Sequence, residues 1–160
     1  MTRSRAATSE RLPTTDAIRS RMSRQRSRNT EIEVALRREL HRIGMRFRVH
    51  RRPLPELRRE ADIVFSKARV AVFVDGCFWH GCPRHATWPK NNDQFWQAKI
   101  ERNQSRDVDT DRRLEAAGWV SIRVWEHEDP MVAAPGIAEI VQVCRRNWAL
   151  GVHRPGVDLA

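Results

Sequence analysis

Residues 69–75, RVAVFVD, constrain the fold more than any other stretch of this chain. β-Branched and aromatic side chains follow one another without the polar alternation of a strand that keeps one face in water. Such a run belongs at the buried centre of a sheet. Ala61–Phe65 (ADIVF) reads as a second short strand, with residues 66–68 turning the chain between the two, so a hairpin is predicted. Residues 119–125 (WVSIRVW) read as another strand, and residues 46–50 as extended chain ahead of a turn-rich PLPE connector at 53–56.

Helices surround these strands. Over 30–43, Ile32, Leu36, Leu40 and Ile43 form an apolar stripe. Asn29 or Thr30 supplies a cap, Glu31 and Glu33 suit the positive end of the helix dipole, and Gly44 ends the helix. A long helix is expected from beyond Asn92 to Ala117, stopped by Gly118, and a last amphipathic helix over 136–149. The order is helix, strand, hairpin, long loop, helix, strand, helix. It describes the α/β class, a mixed β-sheet flanked by helices. At 160 residues the chain is sized for one domain. No run approaches the roughly 18 apolar residues of a membrane span, and the N-terminus lacks the apolar core of a secretory signal, so a cytoplasmic location is expected.

The net charge is +10, and of 30 basic residues only Lys67, Lys90 and Lys99 are lysines. Arginine's planar fork matches phosphate oxygens in pairs, which points to a polyanion, and nucleic acid is the commonest one. Residues 1–28 carry eight arginines against Glu10 and Asp16. They read as a flexible basic arm, with a short helix near 16–24.

The loop at 76–92 opens with Gly76-Cys77-Phe78-Trp79-His80-Gly81-Cys82-Pro83-Arg84-His85. Three cysteines make no disulfide framework, and Cys144 stands alone. A close thiol pair beside histidines suggests zinc, and a remote ligand such as His127 would tie the loop to the end of a strand. Cys77, His80, Cys82, His85 and His127 are five groups for four tetrahedral places, and spacing does not choose among them. Asp62, inside an apolar strand, needs a partner or a metal. With Asp75 at the end of the neighbouring strand, and Glu33 within reach, it could hold a hard cation such as Mg²⁺, or each acid could simply be solvated. Phe78 with Trp79, and Phe95 with Trp96, are adjacent aromatic pairs suited either to core packing or to stacking on bases.

Taken together, Phe73–His85, RSRMSRQRSRNTEIE at 19–33, ADIVF at 61–65, the 88–114 segment and GWVSIRVWEH at 118–127 resemble the very short patch repair (Vsr-type) DNA mismatch endonucleases. The resemblance spans residues 19–128. It implies a restriction-endonuclease-like fold with helices on both faces of the sheet, and a structural zinc site. It divides the chain into a basic arm at 1–18, a single endonuclease domain at 19–150 and a tail at 151–160. The implied activity is a nick 5′ of the thymine in T:G mismatches that arise when 5-methylcytosine deaminates. The alternatives are a nuclease of the same superfamily acting on matched DNA, or a zinc-stabilised DNA-binding module without catalysis.

The resemblance also assigns roles. Asp62 is the Mg²⁺ ligand, together with the backbone carbonyl of Val74. His80 is the catalytic base and Glu33 an acid that orients metal-bound water. Cys77, Cys82, His85 and His127 are the structural Zn²⁺ set, which removes His80 from that competition. Phe78, Trp79 and Trp96 wedge into the duplex. Some members of that family carry histidine where this chain has Asp75, so the carboxylate there either adds a metal ligand or replaces a histidine that contacted phosphate. The acid–x–lysine pair of the wider superfamily is replaced by Val74-Asp75-Gly76. The implied partner is double-stranded DNA bound by a monomer, with mismatch-repair proteins as further partners.

Overall fold

The computed structural model describes residues 28–85 and 93–152. The expected arm at 1–18, the short helix expected near 16–24 and most of the C-terminal tail lie outside them. The elements are α1 (Glu31–Arg42), β1 (Arg48–Arg51), β2 (Ala61–Phe65), β3 (Val70–Asp75), α2 (Asp93–Ala116), β4 (Val120–Trp125) and α3 (Pro130–Ala149). One four-stranded sheet runs β1-β2-β3-β4. The first three strands are antiparallel, and β3 pairs with β4 in parallel. The predicted hairpin is β2–β3, with Ile63 opposite Val72 and Phe65 opposite Val70.

The sheet carries two apolar clusters. α1 and α3 cover one face, where Leu36, Leu40, Ile137 and Val141 pack on Ile63, Phe65, Val70, Val72 and Val124. On the other face Leu114 of α2 packs with Val64, Ala71 and Phe73. Val70, Ala71 and Val72 are completely buried, which accounts for a β3 sequence without polar alternation. Truncating a residue such as Leu36 to alanine would cost about 2–5 kcal/mol.

Local signals set the helix ends. Thr30 caps α1, accepting from the Glu33 amide at 3.4 Å, and Gly44 leaves the helix at φ 83°. Gly118 turns the chain out of α2 at φ 75°. α3 starts earlier than the expected residue 136. Asp129 accepts from the Met131 amide at 2.8 Å, and Pro130 occupies the first turn, where proline's missing N–H costs nothing. Pro135, which reads as a breaker, sits inside the helix and sacrifices a single backbone bond. Among the described residues no helix is long and apolar enough to cross a membrane.

Candidate active site

The parallel pairing of β3 with β4 builds the site. Asp75 lies level with Trp125, so the segments leaving the two strands emerge side by side at their carboxyl ends. The Glu126 amide donates to the Asp75 carbonyl at 2.9 Å, and the Glu126 carboxylate accepts from the Cys77 amide at 2.8 Å. These bonds bring His127 to the loop. Its Nδ1 lies 3.0 Å from the Cys77 sulfur and 3.8 Å from that of Cys82, and His85 Nδ1 is 3.8 Å from Cys82. One donor atom from each of Cys77, Cys82, His85 and His127 falls within 4.8 Å of all the others. Tetrahedral zinc with ordinary Zn–S and Zn–N lengths places such donors roughly 3.5 Å apart, so two thiols and two imidazoles at these separations fit that ion.

His80 is not part of this group. Its Nδ1 lies 2.5 Å from Asp107 Oδ2 on α2 and 3.6 Å from Asp75 Oδ1. α2 forms the wall against which the loop is moulded. Asn103 Nδ2 donates to the Trp79 carbonyl at 2.9 Å and Gln104 Nε2 to the His80 carbonyl at 3.1 Å. Gly81 permits the approach. It sits at φ 64°, and a Cβ there would lie 2.6 Å from Gln104 Nε2 and 3.0 Å from Ile100 Cγ2.

Asp75 is buried and ion-paired. Both of its oxygens accept from Arg123 Nη1, at 2.9 and 2.8 Å. Arg123 Nε donates to Asp111 at 2.9 Å, and Nη2 lies 3.4 Å from Asp107. Burial works against the Arg123 charge, but the hydrogen bonds it donates to Asp111 and Asp75 outweigh it and raise the pKa. Burial likewise pushes Asp107 up. The His80 hydrogen bond and the Arg123 charge more than offset this and hold it below the usual carboxylate range.

Asp62 and Glu33 form a second group with His50, their donor atoms again within 4.8 Å. Asp62 Oδ2 accepts from the Val74 amide at 2.8 Å, which ties it to the end of β3, as the predicted hairpin requires. Burial raises its pKa to about 6, against the pull of that amide and with help from the neighbouring Glu33 charge. A carboxylate held uncomfortably in this way favours a cation beside it, and oxygen donors suit Mg²⁺. Glu33 is buried and already bonded. It accepts from the Asn29 amide at 2.9 Å and from Arg37 at 2.6 Å. His50, at φ 48°, lies 3.2 Å from Arg37 Nη2, and burial followed by the Arg37 charge lowers its pKa.

Phe78, Trp79 and Trp96 form one ring cluster, with centroids 5.1–5.9 Å apart. All three are half-buried, Phe95 beside them is 61% exposed, and Lys99 Nζ lies 4.8 Å from the Trp79 centroid. The rings therefore present an edge of the molecule and are not core.

Residues 14–85 match the family model described as DNA mismatch endonuclease Vsr. The type II nicking enzyme V.NaeI of Lentzea aerocolonigenes is 41% identical over 127 residues, which cover 78% of this chain and 76% of that protein. The chain belongs to the Vsr family of DNA endonucleases. Another relative, the type II nicking enzyme V.XorIIP of Xanthomonas oryzae pv. oryzae, is 46% identical over 109 residues, 67% of this chain and 77% of its own length. The DNA mismatch endonuclease Vsr of Escherichia coli K12 is 36% identical over 104 residues, 62% of this chain and 63% of its own. The Vsr match takes in Glu33, Asp62, His80 and three of the four clustered thiol and imidazole residues.

His50, Asn103, Gln104, Asp107 and Arg123 were not among the residues singled out by sequence. One signal was available for the helix: Asn103 and Asp107 are four apart, the spacing that puts two polar side chains on one face.

Proposed function

We propose that the protein nicks double-stranded DNA 5′ of the thymine at a T:G mismatch, in a Mg²⁺-dependent hydrolysis. The observation that carries this reading is the position of His80. It stands in the Cys-rich loop yet turns from the thiols to Asp107, beside the strand end that holds Asp62. The fold fits a restriction-endonuclease-like core, with the site at the strand ends.

In this reading Mg²⁺, when bound at Asp62 and the Val74 carbonyl, lowers the pKa of an attacking water and neutralises charge on the phosphate. Asp62 anchors the cation. Glu33, fixed at the start of α1, orients water around it. His80 donates through Nδ1 to Asp107, which leaves Nε2 as the lone pair that takes a proton from the attacking water. Cys77, Cys82, His85 and His127 hold Zn²⁺ in a closed site, which stiffens the loop without taking part in hydrolysis. The ring cluster then wedges between base pairs. Unstacking costs a few kcal/mol, and a wobble pair resists it less than a matched pair.

A second reading, cleavage of one strand of matched DNA, draws support from the relatives named as type II nicking enzymes. Incubation with T:G and matched duplexes, with and without Mg²⁺, separates the two. Mg²⁺-dependent nicks confined to the T:G duplex are expected, and equal cutting of both duplexes would refute mismatch selection.

A further inference from the structure

Two carboxylates compete for one imidazole proton in this site. Asp107 Oδ2 is 2.5 Å from His80 Nδ1, and Asp75 Oδ1 only 3.6 Å away. Asp75 comes from β3 and is 5% exposed, whereas Asp107 comes from α2. The shorter contact is the one to Asp107, and Arg123, from β4, engages the farther carboxylate. Its Nη1 occupies both oxygens of Asp75, while Nε is held by Asp111, itself fixed by the Ser121 hydroxyl at 2.7 Å. The guanidinium also packs over the Phe73 ring, 5.0 Å from its centroid. Nη2 lies 3.4 Å from Asp107 Oδ1 and leaves Oδ2 to His80, so Asp75, Asp111, Asp107 and the Phe73 ring together set its position.

We infer that Arg123 is a positioning residue: by engaging Asp75 it leaves Asp107 as the acceptor for His80 Nδ1–H, and so fixes the ring with Nε2 facing the reaction. Asp75 then serves as the anchor of Arg123 and not as a ligand for the catalytic cation. This deepens the reading of His80 as the base and rests on it.

The test uses the full-length zinc-loaded protein and five variants: Arg123→Gln, Asp75→Asn, the double variant, Asp107→Asn and, as the reference for lost Mn²⁺ binding, Asp62→Ala. Two readouts need no activity. The hydrogen-bonded imidazole N–H resonance of His80, identified by its loss in Asp107→Asn, should be displaced or broadened in Arg123→Gln. It should return in the double variant, where no second carboxylate competes. Binding of Mn²⁺ as a probe should weaken less than twofold in Asp75→Asn. In nicking assays Arg123→Gln should lower kcat at least about tenfold, a part of the roughly 10²–10⁴-fold that a positioned base supplies, with KM little changed. The double variant should recover most of that loss, the signature of coupled neighbours. Arg123→Gln leaves three carboxylates together; if it does not fold, the double variant carries the test, and its His80 resonance must match that of the wild type. A double variant as impaired as Arg123→Gln, or an Asp75→Asn protein that loses Mn²⁺ as Asp62→Ala does, would overturn the inference. Absence of nicking in the wild type would count against the function proposed above, while the resonance and Mn²⁺ measurements would still judge Arg123.

Discussion

His127 brings its Nδ1 to 3.0 Å from the sulfur of Cys77, fifty residues earlier in the chain. The contact joins the loop after β3 to the end of β4 across a parallel strand pair. A bound metal there replaces a weak side-chain contact with a covalent-strength tether.

Purified protein is therefore expected to contain about one zinc per chain, the stoichiometry of a four-ligand closed site. Cys82→Ser should release it and unfold at lower temperature. The loss should be a substantial part of the roughly 10–16 kcal/mol that structural zinc supplies to small peptides. Metal analysis by mass spectrometry with a thermal melt checks this, and a stable zinc-free variant would contradict it.

Asp62 gives stability a pH signature. Its folded pKa, about 6, stands above the ordinary 3.8. The folded state thus holds the proton more tightly, and the associated stability is complete below about pH 4 and lost as pH rises through 6. The loss is on the order of 3 kcal/mol in protein without catalytic cation. Mg²⁺ should reverse it, with a larger upward shift in Tm at pH 7.5 than at pH 5. Asp62→Asn should flatten both dependences.

Gly81→Ala tests the mould between loop and helix. A positive φ costs a non-glycine residue about 1 kcal/mol, and the added methyl must displace Gln104 and press on Ile100. A destabilisation of about 1–3 kcal/mol is expected in denaturant titrations. Gln104→Ala in the same chain should return part of it, because the flexible amide is the nearer of the two obstacles.

Phe78→Ala should lower selectivity more than turnover. With one wedging ring removed, the ratio of T:G to matched cutting should fall about tenfold, equivalent to about 1.4 kcal/mol. Competition assays with the two duplexes in one tube measure that ratio directly. An unchanged ratio would move Phe78 from recognition to packing against Trp96.

Much of the fold was legible because single residues forced it. The apolar run of β3 could only be central, Thr30 and Glu33 marked a helix start, and Gly118 a helix end. The start of α3 is harder to read: it lies six residues before the expected 136, and Pro135 and Gly136 inside the helix are poor helix formers, whereas Pro130 behind an aspartate is a good beginning. In the site, residues with conspicuous chemistry stood out: Asp62 in an apolar strand, and thiols beside imidazoles. Arg123 did not, since one arginine in WVSIRVW looks like an outward strand position until the carboxylates around it are known. Asp107 was hidden in α2, whose charged sequence gives no clue as to which of its acids faces the loop. Such partners are defined by tertiary approach, which no local pattern encodes.

α2 carries both Trp96 of the ring cluster and Asp107 behind His80. Eleven residues of helix are close to three full turns, so the two side chains leave the same face about 16 Å apart. On the proposed function, a straight helix over that distance would work as a caliper: one jaw would touch the base step being pried open, and the other would stand behind the group that breaks the backbone. The bond that is cut would then be chosen by a fixed length of protein, counted from wherever the rings find entry.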